Sequence, residues 1–308
     1  MSFDRLQERI DKLRNPTVVG LDPALEHIPP QIMEKHIAAK GETLEAAAAA
    51  VSEWGAGLID ALCDVVPAIK PQSAYYEALG PEGARALKNT CDYAKTKGMY
   101  VILDGKRNDI GSTAEAYSAA YLGTVRVGET ELCPYDVDAL TVNAYLGSDG
   151  IRPFIEDAVR HDKVVFALVK TSNKSAGELQ DKHIAAAGQP SNGQRLYTVV
   201  GDLIAEISSE TAGRYGFTRV GAVVGATYPE EISFLRARLK NTFFLVPGYG
   251  AQGGSAQDVA RAFNERGHGA IINSSRAIIA AWKRNSGDYA AAARNEALRM
   301  RDELRAQL

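Results

Sequence analysis

The stretch Asp104-Gly105-Lys106-Arg107-Asn108-Asp109 places two carboxylates and an ammonium within six residues, at the end of an apolar run. Asp104 and Lys106 are two apart, so on a strand they point to the same side, together with Ile102. Asp109 falls beyond the strand end, on the turn into the next helix. A further ammonium, Lys70, closes a different apolar run, Val65–Ile69. If the two run-ends are neighbours, the side chains form an alternating array of lysines and aspartates. Such an array suits proton transfer and the stabilisation of charge that develops in a reaction. Alternation is what makes it tolerable, because gathering charges in a partly dry site is costly unless each has an opposite partner. In isolation the same spacing also describes an ordinary solvated salt-bridge cluster.

A second group of residues has the chemistry of an anion cradle. Gly248, Gly250, Gly253 and Gly254 lie in one turn, where the lack of side chains lets backbone N–H groups approach an anion. Arg276 follows the last apolar run and can grip phosphate oxygens in bidentate fashion. Gln252, in the same glycine-rich turn, has the reach to bridge to a ligand. Thr171 and Ser172 offer hydroxyls to a polar substrate edge, and Asp22 offers a carboxylate to sugar hydroxyls. Each has a plainer reading: a tight turn for the glycines, a helix surface for Arg276, a cap for Thr171 and Ser172, and a turn-opening Asp-Pro for Asp22.

Eight short apolar runs must position these groups: Thr17–Leu21, Val65–Ile69, Met99–Leu103, Ala139–Val142, Val164–Val169, Val220–Val224, Phe243–Val246 and Ala270–Ile272. Near-continuous hydrophobicity marks strands buried on both faces, as in a parallel sheet. Helical periodicity fills several of the gaps: Leu44–Leu62, Gly83–Lys97, Ile151–Arg160, Leu196–Ser209, Ala256–Arg266 and Tyr289–Ala306. Met1–Asn15 is also helix-like, with Phe3, Leu6, Ile10 and Leu13 at helical spacing. Eight such units predict an α/β fold, a single (β/α)₈ TIM barrel over residues 1–308, with the chemistry at the C-terminal strand ends. A doubly wound open sheet is the alternative, but its glycine fingerprint is missing from Gly20-Leu21-Asp22-Pro23. Asn173–Arg195 is one long polar insertion, expected as a surface loop.

Composition narrows the function classes. The 308 residues are 45% hydrophobic with a formal net charge of -3, so no basic field points to nucleic acid or an anionic membrane. No apolar run reaches the roughly 18 residues of a membrane span, and the N-terminus has no signal-peptide core. Cys63, Cys91 and Cys133 are odd in number and far apart, which fits a reducing cytoplasm. Neither they nor the five scattered histidines form a metal-ligand spacing, and no residue set suits an organic cofactor.

The extended stretch Asp104-Gly105-Lys106-Arg107-Asn108-Asp109-Ile110-Gly111-Ser112-Thr113 resembles the D-x-K-x-x-D-I-x-x-T signature of orotidine 5′-monophosphate decarboxylases. Gly20–Pro23, Lys70–Glu77, Thr141–Gly147, Lys170–Asn173 and Pro247–Gly250 are similar to the longer bacterial branch of that family, in order along nearly the whole chain. The resemblance implies Lys106 as the acid that protonates C6 of the pyrimidine, with Asp104 close to the substrate carboxylate. Lys70 and Asp109 complete the charged array. It implies that Asp109, Ile110 and Thr113 cross a homodimer interface into the partner's site. By the same resemblance, Asp22 and Lys70 would contact the ribose, Ser172 would read the pyrimidine edge, and Gln252 and Arg276 would hold the phosphate. The resemblance further implies a nucleotide substrate and a reaction that uses no cofactor.

Three rivals remain on the residues alone. A Mg²⁺-dependent sugar-phosphate decarboxylase or aldolase of the same superfamily shares D-x-K-x-x-D but carries an acidic ligand where Lys70 stands. A Schiff-base aldolase would use Lys170 or Lys106 as nucleophile. A non-catalytic barrel would bind the phosphate ligand without turning it over.

Overall fold

A computed structural model describes residues 2–185, 193–250, 253–284 and 287–308. The eight apolar runs are the parallel strands of a closed barrel: β1 (Thr17–Leu21), β2 (Ala68–Pro71), β3 (Tyr100–Arg107), β4 (Ala139–Val142), β5 (Val164–Lys170), β6 (Val220–Val224), β7 (Phe244–Val246) and β8 (Ala270–Ser274). They pair in sequence order, and β8 closes on β1 with Thr17 opposite Ile272. That last pairing excludes the open sheet.

The alternation of each strand sorts its side chains between two cores. Tyr100 and Ile102 of β3, Val164 and Phe166 of β5 and Val223 of β6 fill the barrel. Val101, Leu103, Val165, Ala167 and Val224 face outward beneath the helices. The amphipathic helix Ser2–Leu13 plugs the N-terminal end. Phe3, Leu6 and Ile10 join the interior cluster, and Phe3 stacks on Phe243 with ring centroids 4.8 Å apart. With the bottom sealed, the open end is where the strands finish and their polar residues gather.

Differences from the sequence reading have local causes. β2 starts at Ala68 rather than Val65, because the N–H groups of Val65 and Val66 both donate to Leu62 C=O at the end of helix Leu44–Leu62. The helix expected over Ala256–Arg266 stops at Ala260. The Asn264 side chain accepts from the N–H of Arg266 and of His268, offering the backbone an alternative to the helix. Helices Pro30–Lys40, Gly111–Tyr121 and Pro229–Arg238 were not anticipated, nor was the hairpin of Val125–Val127 with Thr130–Leu132. The described part of the polar insertion is not plain loop: His183–Ile184 pairs antiparallel with Gln194–Arg195. Among the described residues no helix is long and apolar enough to cross a membrane.

Candidate active site

Asp104 and Lys106 both line the open end of the barrel, Asp104 by the parity it shares with Ile102 and Lys106 through an irregularity of β3, whose register on β4 shifts between Leu103 and Arg107. Asp104 is the centre of the site. Its Oδ2 accepts from Lys70 Nζ at 2.6 Å and from Gln72 Nε2 at 3.0 Å. Its Oδ1 accepts from Lys106 Nζ at 2.5 Å and from Thr141 Oγ1 at 3.0 Å. One carboxylate thus bridges two ammonium groups from adjacent strands. The Lys70 and Asp104 side chains are only 5% and 10% exposed, whereas Lys106 is 46% exposed and reaches into the opening. Burial works against the charge on Asp104, but Lys70 and Lys106 outweigh it and hold the carboxyl well below its usual range. Burial also works against the charge on Lys70, and there Asp104 and Asp22 prevail and raise its pKa.

Lys106 has a positive φ of 47°. A long side chain in that left-handed region is uncommon, and backbone held in it marks a position determined by its surroundings. Here the Lys106 N–H donates to Thr141 Oγ1 at 2.9 Å, so the threonine that braces Asp104 also fixes the lysine backbone.

These groups form one wall of a cavity of about 390 Å³, within the range of small-molecule sites. Leu168, Val223, Leu245 and Pro247 supply apolar floor, and Thr171, Ser172, Asn173 and Gln180 face the charges. Ser172 thus lines the same cavity as the charged array. Gly225 permits this, since a Cβ there would lie 2.8 Å from Ser172 Cβ.

Other expected residues lie outside the lining. Asp22 sits at the end of β1, near enough to Lys70 to stabilise its charge; its buried Oδ1 has no partner among the described residues. An acceptor so placed suits a ligand hydroxyl. Arg276 is exposed at the start of a short helix after β8 and is free of polar partners among the described residues. Gly248, Gly250 and Gly253 have φ values of 100°, 71° and 97°, as a tight turn needs. The N–H groups of Gly250, Gly253 and Gly254 are spent on carbonyls within that turn, which answers to the plainer reading. Gln252 lies outside the described residues.

Asp109, Ile110 and Thr113 do not line the cavity of their own chain. Asp109 accepts from the Ile110 N–H, and Ile110 and Thr113 are exposed.

Three polar residues of this region were not singled out in the sequence: Gln72, Thr141 and Asn273. Asn273, on β8, carries a buried Oδ1 with no partner among the described residues. The spacing Lys70-x-Gln72, a period-two step that runs just past the end of β2, could have signalled one of them. Among the described residues no group of three or more His, Cys, Asp or Glu side chains stands where it could hold a metal ion.

Known proteins place this arrangement in a family. A family model described as orotidine 5′-phosphate decarboxylase / HUMPS family matches residues 56–290. The orotidine 5′-phosphate decarboxylase of Rhodopirellula baltica is 44% identical over 275 residues, covering 89% of this chain and 87% of the relative. That of Clostridium kluyveri is 38% identical over 307 residues, 99% of this chain and 97% of the relative. Among solved structures, Leishmania donovani OMP decarboxylase superposes with a TM-score of 0.70 at 31% identity, covering 98% of this chain and 99% of the other. The chain belongs to the orotidine 5′-phosphate decarboxylase / HUMPS family.

Proposed function

We propose that this protein converts orotidine 5′-monophosphate to uridine 5′-monophosphate and carbon dioxide in pyrimidine biosynthesis, without a cofactor, and that residues 1–308 act as one catalytic domain. The observation that carries the reading is the buried Asp104 carboxylate clamped between Lys70 and Lys106 on the wall of the cavity. When the C6 carboxylate leaves as carbon dioxide, the bonding pair stays on C6 in the plane of the ring, where the ring orbitals delocalise it poorly. Lys106 supplies a fixed cation beside that pair and then a proton to C6, and is reprotonated from solvent. Asp104 repels the substrate carboxylate in the ground state, and the apolar floor of Leu168, Val223 and Leu245 supports the reading by keeping water from weakening these interactions. Enzymes lower barriers by about 8–23 kcal/mol, more than one lysine delivers at the upper end. Binding of the remote phosphate by Arg276 and Gln252, and of the ribose by Asp22 and Lys70, supplies the rest by holding the ring in place.

The site is shared in a homodimer, with Asp109, Ile110 and Thr113 completing the partner's cavity. Exposed apolar side chains near that segment support this: Ile110 at 56%, Tyr145 at 75% and Leu146 at 48%. The protein is cytoplasmic; its three cysteines are unpaired.

The rivals fit less well. The buried ammonium of Lys70 would repel a divalent cation at the end of β2. Lys170 does not line the cavity and is engaged by Asp181, so it is a poor Schiff-base nucleophile. The test is the ultraviolet absorbance of orotidine 5′-monophosphate mixed with the purified protein. A steady fall with uridine 5′-monophosphate as product is expected. Binding of uridine 5′-monophosphate with no loss of orotidylate would favour the non-catalytic barrel.

A further inference from the structure

Lys170, the last residue of β5, is a fully buried lysine that the proposed reaction does not use. Its Nζ donates to Asp181 Oδ1 at 2.6 Å and lies 4.4 Å from the centroid of the Tyr228 ring and 5.4 Å from that of Tyr197. Asp181 belongs to the polar insertion, so this ion pair closes a loop between the strand and the insertion. The neighbouring residue repeats the connection. Gln180 Oε1 accepts the Thr171 N–H at 2.9 Å, Gln180 Nε2 donates to Thr171 Oγ1 at 2.7 Å, and the Gln180 carbonyl accepts the Tyr197 N–H at 3.1 Å. The Thr171 N–H can only donate, which fixes which way the Gln180 amide faces. One hydrogen of that amide has no acceptor among the described residues.

Thr171, Ser172 and Gln180 all line the cavity, opposite Lys70, Asp104 and Lys106. The strand end and the insertion therefore make one wall, and it presents an amide N–H and the Ser172 hydroxyl. A pyrimidine edge with two carbonyl oxygens is what such donors complement. We propose that Lys170 and Asp181 are a positioning pair that sets this pyrimidine-facing wall, with Gln180 as a further specificity-determining contact; this rests on the nucleotide reading above. The pair is a weak source of net stability, but it holds one geometry, because the fully buried Lys170 ammonium left without Asp181 is costly.

The test compares two ligands by calorimetry in wild type, Lys170→Met and Asp181→Asn. Uridine 5′-monophosphate carries the base, and ribose 5-phosphate does not. Lys170→Met removes the buried charge and leaves only the partly exposed aspartate, so it remains informative, with the same result expected, should Asp181→Asn, which strands the buried ammonium, fail to fold. The expected result for Asp181→Asn is about tenfold weaker uridine 5′-monophosphate binding, the size of coupling that contacting groups show, with ribose 5-phosphate affinity within about twofold. Equal weakening of both ligands would reveal a merely structural pair and overturn the proposal, as would unchanged affinity for both. Wild-type turnover of orotidylate is measured alongside. If it is present while the variants keep wild-type affinities, the positioning role fails and the function stands. A wild type that neither turns over orotidylate nor binds uridine 5′-monophosphate overturns both.

Discussion

Replacing Asp104 with Asn tests whether one carboxylate holds the site together. All four donors on that side chain, Lys70, Lys106, Gln72 and Thr141, converge on its two oxygens. Asparagine keeps the shape, removes the charge and turns an NH₂ toward one of the ammonium groups. The cost divides unequally. Lys70 is almost wholly buried, and leaving such a charge without its partner costs about 3–5 kcal/mol. Lys106 is about half exposed, so its arm of the bridge adds at most about 1 kcal/mol after solvent screening. At about 2–4 °C per kcal/mol, the thermal midpoint should fall by roughly 6–24 °C. Lys106→Ala, by contrast, leaves Lys70 and Asp104 paired and should shift the midpoint by only a few degrees. The pH dependence follows from the two shifts. The Asp104 pKa is depressed in the folded protein, so its stabilisation is complete above the unfolded value of about 3.9 and is lost as pH falls through the lower folded value. The Lys70 pKa is raised, so its contribution is complete below the unfolded value of about 10.4 and is lost as pH rises through the higher folded value. The gap between wild type and Asp104→Asn should therefore be widest across neutral pH and narrow in acid and in alkali. Calorimetric or dichroic melting from about pH 2 to about pH 12 measures it. A midpoint change under about 1 °C at pH 7, or a gap that widens in acid, would refute the picture of a buried counter-ion.

Three further outcomes follow from the same geometry. Arg276→Ala should raise KM for orotidine 5′-monophosphate by about 10–100-fold, the worth of charge-assisted hydrogen bonds to phosphate, with the melting point unchanged because the side chain is exposed; an unchanged KM in steady-state kinetics would remove the phosphate role. Phe3→Ala should cost about 3–5 kcal/mol in denaturant melts by opening the stacked plug beneath the barrel, while kcat of the folded fraction stays near wild type. Mixing Lys106→Ala with Asp109→Ala, each inactive alone, should restore about a quarter of wild-type activity, since half of randomly reassorted dimers are mixed and carry one intact shared site; no recovery after verified subunit exchange would place both residues in the same chain's site.

The part of this site legible in the sequence is the part that obeys a period. Ile102 and Asp104 share a face because strands alternate, and barrel strands end at one common rim, so Lys70 could be joined to them without knowledge of distances; Lys106 reaches the same site through a break in that alternation which the sequence did not signal. Gln72 and Thr141 escaped because they are uncharged and their relevance depends on register between strands: Gln72 bridges to Asp104, and Ile102 opposite Ala139 brings Thr141 alongside. Register is set by three-dimensional packing. The Lys170–Asp181 pair was hidden for the same reason, since the insertion between them reads as plain polar loop. Short amphipathic signals failed in helices such as Pro229–Arg238, whose apolar residues do not gather into one stripe. Arg276 and the glycine turn were read from their chemistry and their place after the last two strands, and the N–H groups of Gly250, Gly253 and Gly254 proved to be spent within the turn.

The central claim is that Lys106 delivers the proton to C6, and its most direct measurement is the turnover of orotidine 5′-monophosphate by Lys106→Ala, with affinity for uridine 5′-monophosphate measured on the same sample. A loss of kcat by several orders of magnitude with nucleotide binding largely intact is the predicted result. A variant with near-normal kcat would contradict it.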